Sequence, residues 1–297
     1  MKSRHKTFNS ISLIARGFTI LAVLAGAAVV PRAVAQDQEV LSPDQSSAKA
    51  KQILQQAIAG LGGPAYLNVR DITLEARLGQ FGHSGEMNGY AKILDIAMPP
   101  FKDRTENLPK RNLITISNGD KGWTLDRGGV SEATITDIAT YQEDVKKDID
   151  NILRHRIHEP GMIFRYGGPD VVDYQESDWV ELVDSENRTF RIAIARGTHL
   201  PVRKIVDTRD ANTRMRSEEV EYYSNYLPIN GIQTAFQITR ERNGVKVYQV
   251  FFDKFEYNTG VSESLFTKES LEERWAKIGK KEKAPKGNPS ATNNDKN

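Results

Sequence analysis

The chain has 297 residues, of which 38% are apolar, so it is long enough to bury a substantial core. It contains no cysteine, which excludes a disulfide scaffold, a zinc–thiolate site and an iron–sulfur cluster. With 41 basic and 39 acidic residues, its formal net charge of +2 gives no electrostatic case for nucleic-acid binding. The composition leaves one large domain or two small ones.

The first 35 residues have the pattern of a secretory signal peptide. A basic start is followed by an uncharged run at 17–30, which is shorter than the roughly 20 apolar residues that span a bilayer. Ala33-Val34-Ala35 matches the small-x-small cleavage pattern. A retained N-terminal anchor is the alternative. Cleavage after Ala35 removes five basic residues and no acidic one, so we expect a periplasmic protein with a net charge of −3.

The next segment predicts a flexible lead-in followed by a helix. Residues 36–47 are polar and contain Pro43. Apolar residues then recur at helical spacing from Ala50 to Leu61, and Gly62-Gly63-Pro64 is expected to end the helix. We therefore place the start of the folded domain at residue 48.

The rest of the domain alternates with period two, which predicts strands. A helical stripe at 138–157 interrupts this pattern. Short spacings and polar turns favour an antiparallel meander over parallel βαβ units, and thus an α+β fold that is mostly antiparallel β. The predicted strands are 72–78, 90–96, 113–116, 123–125, 162–165, 179–184, 189–195, 202–207, 214–223, 232–241 and 245–257.

The last predicted strand is apolar on both faces. Strict alternation sends Phe251, Phe255 and Tyr257 to one side, and Tyr248, Val250 and Phe252 to the other. A helix can cover one face, and a ligand can cover part of a concave surface. Ordinary core on both faces is the alternative interpretation.

The composition becomes basic and polar after residue 267. We predict a short helix at 269–277 within a basic, largely disordered tail at 268–297. Contact of its lysines with anionic lipid headgroups is the alternative to a solvated tail.

No catalytic motif is evident. The chain has no Gly-x-Ser-x-Gly elbow and no phosphate-binding Walker loop. His155 and His158 have metal-like spacing, but two histidines at a helix C-terminus are also favoured by the helix dipole. We therefore predict a protein that is not an enzyme and that needs no cofactor or metal.

Several segments, taken in order, resemble one family. A strand ends at Pro99-Pro100, a strand containing Arg104 follows, and residues 114–125 (ITISNGDKGWTL) read as a hairpin. Residues 222–232 (YYSNYLPINGI) read as a strand–turn–strand, and residues 264–266 (SLF) read as a closing element. With the leading helix and the export signal, this order resembles the outer-membrane lipoprotein carrier superfamily, the LolA/LolB-like proteins, over residues 50–267.

The sequence departs from the family pattern at two places. The residues after Ile232 lack the expected proline, and Met98 precedes Pro99 where the well-studied carriers place a basic residue.

The resemblance implies a curved half-barrel sheet of about 10–11 strands, spanning 48–267, with helices over the concave face. It also implies a non-catalytic periplasmic protein that binds lipids or the acyl chains of lipoproteins. An envelope scaffold that binds a protein partner is the alternative, and a hydrolase or metal enzyme is a third. Because a one-residue shift of register exchanges cavity and core, the candidate cavity residues are the strand apolars as a set: Leu74, Ile93, Ile116, Trp123, Phe190, Ile192, Phe236, Ile238, Val250 and Phe252.

Overall fold

A computed structural model describes residues 40–209 and 215–283. The predicted signal peptide and residues 284–297 of the predicted tail lie outside the described residues. The helices are α1 (Pro43–Leu61), α2 (Pro64–Leu67), α3 (Ile135–Lys147), α4 (Ile149–Arg154) and α5 (Lys268–Lys283). Short 3-10 turns span Arg156–His158 and Glu263–Phe266.

Thirteen antiparallel strands form one open, curved sheet, which confirms the predicted half-barrel class. Their order is β6-β5-β4-β3-β2-β1-β13-β12-β11-β10-β9-β8-β7, so the first strand, β1, pairs with the last strand, β13, at the centre of the sheet. The strands are β1 (Ile72–Phe81), β2 (Met87–Met98), β3 (Lys102–Leu108), β4 (Ile114–Asn118), β5 (Lys121–Asp126), β6 (Gly129–Glu132), β7 (Ile163–Val172), β8 (Gln175–Val183), β9 (Thr189–Ala195), β10 (Pro201–Arg209), β11 (Arg216–Ile229), β12 (Ile232–Arg242) and β13 (Val245–Tyr257).

Two of these strands have no alternating apolar pattern, so the periodicity missed them. They are β3, whose sequence is KDRTENL, and the four-residue β6. In β3 the buried alternate positions are Arg104 and Glu106, whose side chains bind each other at 2.6 Å. An ion pair therefore fills positions where a half-buried strand ordinarily carries apolar residues.

Helix α1 begins earlier than predicted, inside the expected lead-in. Ser42 caps it and forms a reciprocal capping box with Gln45. The helix ends at Gly62, where φ is +128° and an added Cβ would lie 2.5 Å from the carbonyl oxygen of Gly231. The apolar face of α1 packs on the concave side of the sheet, in a core that includes Phe190 and Ile192.

The predicted helix at 138–157 is divided in two. Asp148 is extended, with ψ of 132°, so α3 ends there and α4 begins. Its carboxylate accepts a 2.8 Å hydrogen bond from the backbone of Asn151 and caps α4.

The C-terminal segment packs on the opposite, outer face of the sheet. Phe266 and Leu271 are fully buried against Ile114, Ile116 and Leu125. Arg104 donates to the carbonyl of Leu265 at 2.8 Å and to the hydroxyl of Ser270 at 3.0 Å. Residues 268–283 are thus a helix, longer than the predicted 269–277, and part of the predicted disordered tail is folded. Among the described residues, no helix is long and apolar enough to cross a membrane.

Candidate ligand cavity on the concave face

A cavity of about 640 Å³ lies between the central strands and the α3–α4 segment. Strands β1–β3 and β11–β13 form its floor, while Tyr141, Val145, Ile149 and Leu153 reach it from the helices. These four belong to the helical stripe that the sequence predicts. The volume falls within the range of small-molecule and cofactor sites.

An aromatic run forms one wall of this cavity. The rings of Phe252 and Phe255 meet edge to face at 5.4 Å, and Phe255 and Tyr257 follow at 4.9 Å. Leu74 and Ile238, from the neighbouring strands, also line the cavity. The wall is therefore apolar and continuous along β13.

A β-bulge places these aromatic residues together. Glu75 pairs with Lys254 and Ala76 pairs with Phe252, so Asp253 has no partner on β1. The extra residue shifts the alternation of side chains by one. The prediction that Phe252 and Phe255 point to opposite faces was wrong, because it assumed an unbroken period of two.

Six of the ten candidate residues lie on the concave face of the central strands. Leu74, Ile238 and Phe252 line the cavity directly. Directly opposed residues in an antiparallel pair share a face. By this rule Val250, opposite Ile238, and Ile93, opposite Ala76, have the same orientation. The ring of Phe236 lies 6.5 Å from those of both Phe252 and Phe255.

The other four candidates lie elsewhere. Phe190 and Ile192 are fully buried in the core beneath α1. Ile116 is opposite Trp123 in the β4–β5 pair, and both pack in the outer-face cluster with Phe266. The core of Phe190 and Ile192 is continuous with the cavity wall through Phe255 and Tyr257, whereas Ile116 and Trp123 lie apart from the cavity on the outer face.

Two aspartates line the cavity on β2 and β3. The hydroxyl of Thr105 lies 3.0 Å from the carboxylate of Asp95 and 3.2 Å from that of Asp103. Burial raises the pKa of Asp95 to about 6. Burial, together with the charge of Asp95, raises the pKa of Asp103 well above its usual range. The pair is therefore expected to hold a proton near neutral pH.

A compact ionic network closes another part of the cavity. The ammonium of Lys204 lies 2.6 Å from the carboxylate of Glu221, which also accepts a 2.7 Å hydrogen bond from Arg240. Tyr223 donates to the same carboxylate. Burial opposes ionisation of Glu221, but the two cations outweigh it and lower its pKa to about 2. The network is charged and internally satisfied.

The third polar group of the cavity is Tyr66, Asp150 and Arg154. Tyr66 donates a 2.7 Å hydrogen bond to Asp150. The guanidinium of Arg154 lies over the Tyr66 ring, 4.3 Å from its centroid, and 3.5 Å from Asp150. Periodicity had no means of finding these residues, because sequence alone does not show which polar side chains turn inward.

Metal binding has no geometric support among the residues described. No three His, Asp or Glu side chains there come together as a ligand set. His155 lines the cavity, and burial and the charge of Arg154 lower its pKa. His158 lies in the following 3-10 turn.

No protein-family model matches the sequence, and no curated protein does. Solved structures do match. A DUF1329 family protein from Desulfovibrio piger has a TM-score of 0.54 at 13% identity, over 75% of this chain and 98% of that one. A putative outer membrane lipoprotein-sorting protein domain from Vibrio parahaemolyticus has a TM-score of 0.53 at 13% identity, over 76% and 99%.

A LolA superfamily protein from Nitrosomonas europaea has a TM-score of 0.48 at 13% identity, over 75% and 99%. At 13% identity the first two likenesses show the fold alone. This chain has the fold of an outer membrane lipoprotein-sorting protein domain, which agrees with the fold that the sequence resemblance predicted.

Proposed function

We propose that this protein is a periplasmic, non-catalytic carrier that holds a lipid, or the acyl chain of a lipoprotein, in the concave cavity. The observation that carries the proposal is the continuous wall formed by Phe252, Phe255 and Tyr257 beneath the α3–α4 segment. An exported protein that carries an acyl chain has to keep that chain away from water, and a roofed apolar wall on a curved sheet suits this task.

The energetics are adequate for such a role. Each methylene withdrawn from water contributes about 0.8 kcal/mol. A chain of ten covered methylenes therefore gains about 8 kcal/mol, before the cost of association is subtracted. The net affinity is expected to be moderate, which suits a carrier that has to release its ligand.

A protein-binding scaffold is the second candidate, and the edges of the sheet favour it. Within the described ranges, β7 pairs only with β8, and β6 pairs only with β5. An edge strand presents backbone donors and acceptors that a partner strand can pair with.

Native mass spectrometry of the full chain, exported under its own leader and purified without detergent, tests the carrier role. A co-purifying mass that matches a phospholipid or an acylated peptide is the expected result. A protein that stays free of lipid after incubation with lipid vesicles contradicts the proposal. A stoichiometric protein partner in that same lipid-free sample would favour the scaffold.

A further inference from the structure

Arg154 is a buried cation whose hydrogen-bonding capacity is unused. Its side chain is 2% exposed, and none of its three nitrogens has a hydrogen-bond partner among the described residues. Buried polar groups are almost always paired, because an unpaired one forfeits its hydration without compensation. A buried guanidinium whose five N–H donors all lack an acceptor is therefore unusual.

Other buried arginines of this protein show the contrast. Arg156 donates to the carbonyl of Lys146 at 2.6 Å and to the carboxylate of Asp184 at 2.9 Å. Among the described residues, Arg188 and Arg203 leave one nitrogen each without a hydrogen-bond partner, and that nitrogen of Arg188 still lies 2.8 Å from the carboxylate of Glu186, whereas Arg154 leaves all three without one. The other buried guanidinium groups thus keep most of their hydrogen bonds, and the absence of any hydrogen bond to Arg154 sets this cavity residue apart.

The charge of Arg154 is only partly compensated. In the described part of the chain, one carboxylate, that of Asp150, lies within ion-pair distance, and it also accepts the hydroxyl of Tyr66. The cavity's other acids have partners elsewhere. Glu221 faces Lys204 and Arg240, and Asp144 lies 3.8 Å from Arg240. Asp95 and Asp103 accept from Thr105, and Asp148 accepts from the backbone of Asn151.

The neighbouring hydroxyl groups are also engaged. Tyr257 bonds to Thr234 at 2.9 Å, and Tyr226 donates to the carbonyl of Pro201 at 2.7 Å. A group that enters the cavity can supply the acceptor oxygens that Arg154 lacks, because Arg154 forms part of the cavity wall.

We propose that Arg154 binds the anionic head group, a carboxylate or phosphate, of an amphiphile whose chain lies along Phe255 and Phe252. The placement follows from Tyr257, which lines the cavity with Arg154 and starts the aromatic run along β13. A guanidinium binds carboxylate and phosphate oxygens through paired N–H donors. This inference rests on the proposed carrier function and names its ligand class, an acyl chain that ends in a negative group.

The test compares ligands with the same twelve-carbon chain and different heads. Dodecanoate, dodecanol and dodecyltrimethylammonium displace the neutral fluorophore N-phenyl-1-naphthylamine from the full-length exported protein. Dodecanoate is expected to bind at least tenfold more tightly than dodecanol, and the cationic amphiphile more weakly than both. Sodium phosphate alone is a further competitor, and displacement by phosphate as effective as by dodecanoate would overturn the assignment to an amphiphile.

Two variants locate the effect. Arg154→Met should bring the ratio of the dodecanol and dodecanoate Kd values close to one. Asp150→Asn keeps an acceptor for Tyr66 but removes the competing charge, so the same ratio should rise. Arg154→Met leaves the Asp150 carboxylate without its cation. If that variant fails to fold, the double variant R154M/D150N, which removes both charges, replaces it in the same comparison of Kd values.

The outcomes separate the two proposals. Equal Kd values for dodecanoate and dodecanol in the wild type, or a ratio that Arg154→Met does not change, would overturn the head-group site and leave the carrier function standing. Failure of all three amphiphiles to displace the probe would overturn both.

Discussion

The rings of Phe252 and Phe255 meet edge to face, 5.4 Å apart, although the two residues are three apart in one strand, a spacing that ordinarily places side chains on opposite faces. They share a wall because Asp253 is excluded from the ladder with β1. Without this bulge, alternation would send one ring to each face of the sheet. The geometry of the proposed binding site therefore depends on one residue, Asp253, that has no backbone partner on β1.

Replacing Phe252 with alanine is expected to weaken binding of N-phenyl-1-naphthylamine about tenfold, because the ring forms part of the apolar wall. Fluorescence titration measures the affinity, and urea unfolding measures the stability. The control is Phe266→Ala, which removes a fully buried ring from the outer face and should cost about 3–5 kcal/mol of unfolding free energy. Its folded fraction should bind with unchanged affinity. A Phe252→Ala protein that loses only stability would assign Phe252 to the core.

Replacing Asp103 with asparagine is expected to stabilise the protein at alkaline pH. The pKa of Asp103 is raised in the fold, and that of Asp95 is about 6, against about 3.9 in an unfolded chain. The native state thus binds more protons than the unfolded state above pH 4, so the contribution of this pair falls as the pH rises.

The variant should exceed the wild type by about 1–2 kcal/mol at pH 8, and this gain should disappear at pH 4. Urea unfolding at pH 4, 6 and 8 measures it. Asp120→Asn, at an exposed turn, is the matched control and should show no such trend. A stability difference that does not vary with pH would contradict the shared proton.

The ionic network predicts the opposite dependence on pH. Burial disfavours the Glu221 carboxylate, but Lys204 and Arg240 bring its pKa down to about 2. Its stabilisation is therefore complete above about pH 4.3 and is lost as the pH falls towards 2.

Glu221→Gln should cost about 3–5 kcal/mol at pH 7, because it leaves the buried Lys204 and the half-buried Arg240 without their carboxylate. The deficit should shrink at pH 3 and below. Chemical unfolding across pH 2–7 measures this. A variant as stable as the wild type at pH 7 would show that the network contributes nothing net.

Helix α5 should contribute to stability and not to binding. Leu271 is fully buried on the outer face, so Leu271→Ala is expected to cost about 2–5 kcal/mol of unfolding free energy. The exposed neighbour Glu272, changed to alanine, should alter stability by less than about 0.5 kcal/mol. Neither change should alter the affinity for N-phenyl-1-naphthylamine. Loss of affinity in Leu271→Ala alone would couple the outer face to the cavity.

Much of the fold follows from local pattern. The bounds of β9 and β13 agree with the predicted strands, because both have regular apolar runs between turn residues. The turn at Asn243-Gly244 is a further example, since both residues have positive φ as the pair predicts. The break between α3 and α4 at Asp148 had no such signal in the sequence. An aspartate that caps a second helix cannot be distinguished by sequence from an exposed aspartate inside one longer helix.

The candidate site was harder to predict for three physical reasons. A bulge changes which side chains share a face and leaves no mark in the sequence around Asp253. Alternation also cannot tell the concave face from the outer one, so Ile116 and Phe252 read alike. Polar cavity residues such as Arg154 and Asp95 turn inward because of tertiary pairing, which composition does not encode.

The bulge at Asp253 also means that a one-residue insertion or deletion in a related protein can change which side chains line the cavity. One residue inserted on β1 between Glu75 and Ala76 would give Asp253 a partner and exchange Phe255 and Tyr257 for Lys254 and Glu256 on the concave face. The apolar wall along β13 would become a charged one without a single substitution. Relatives of equal composition but different strand length can therefore present quite different cavities, and their ligands are better compared by register than by residue identity.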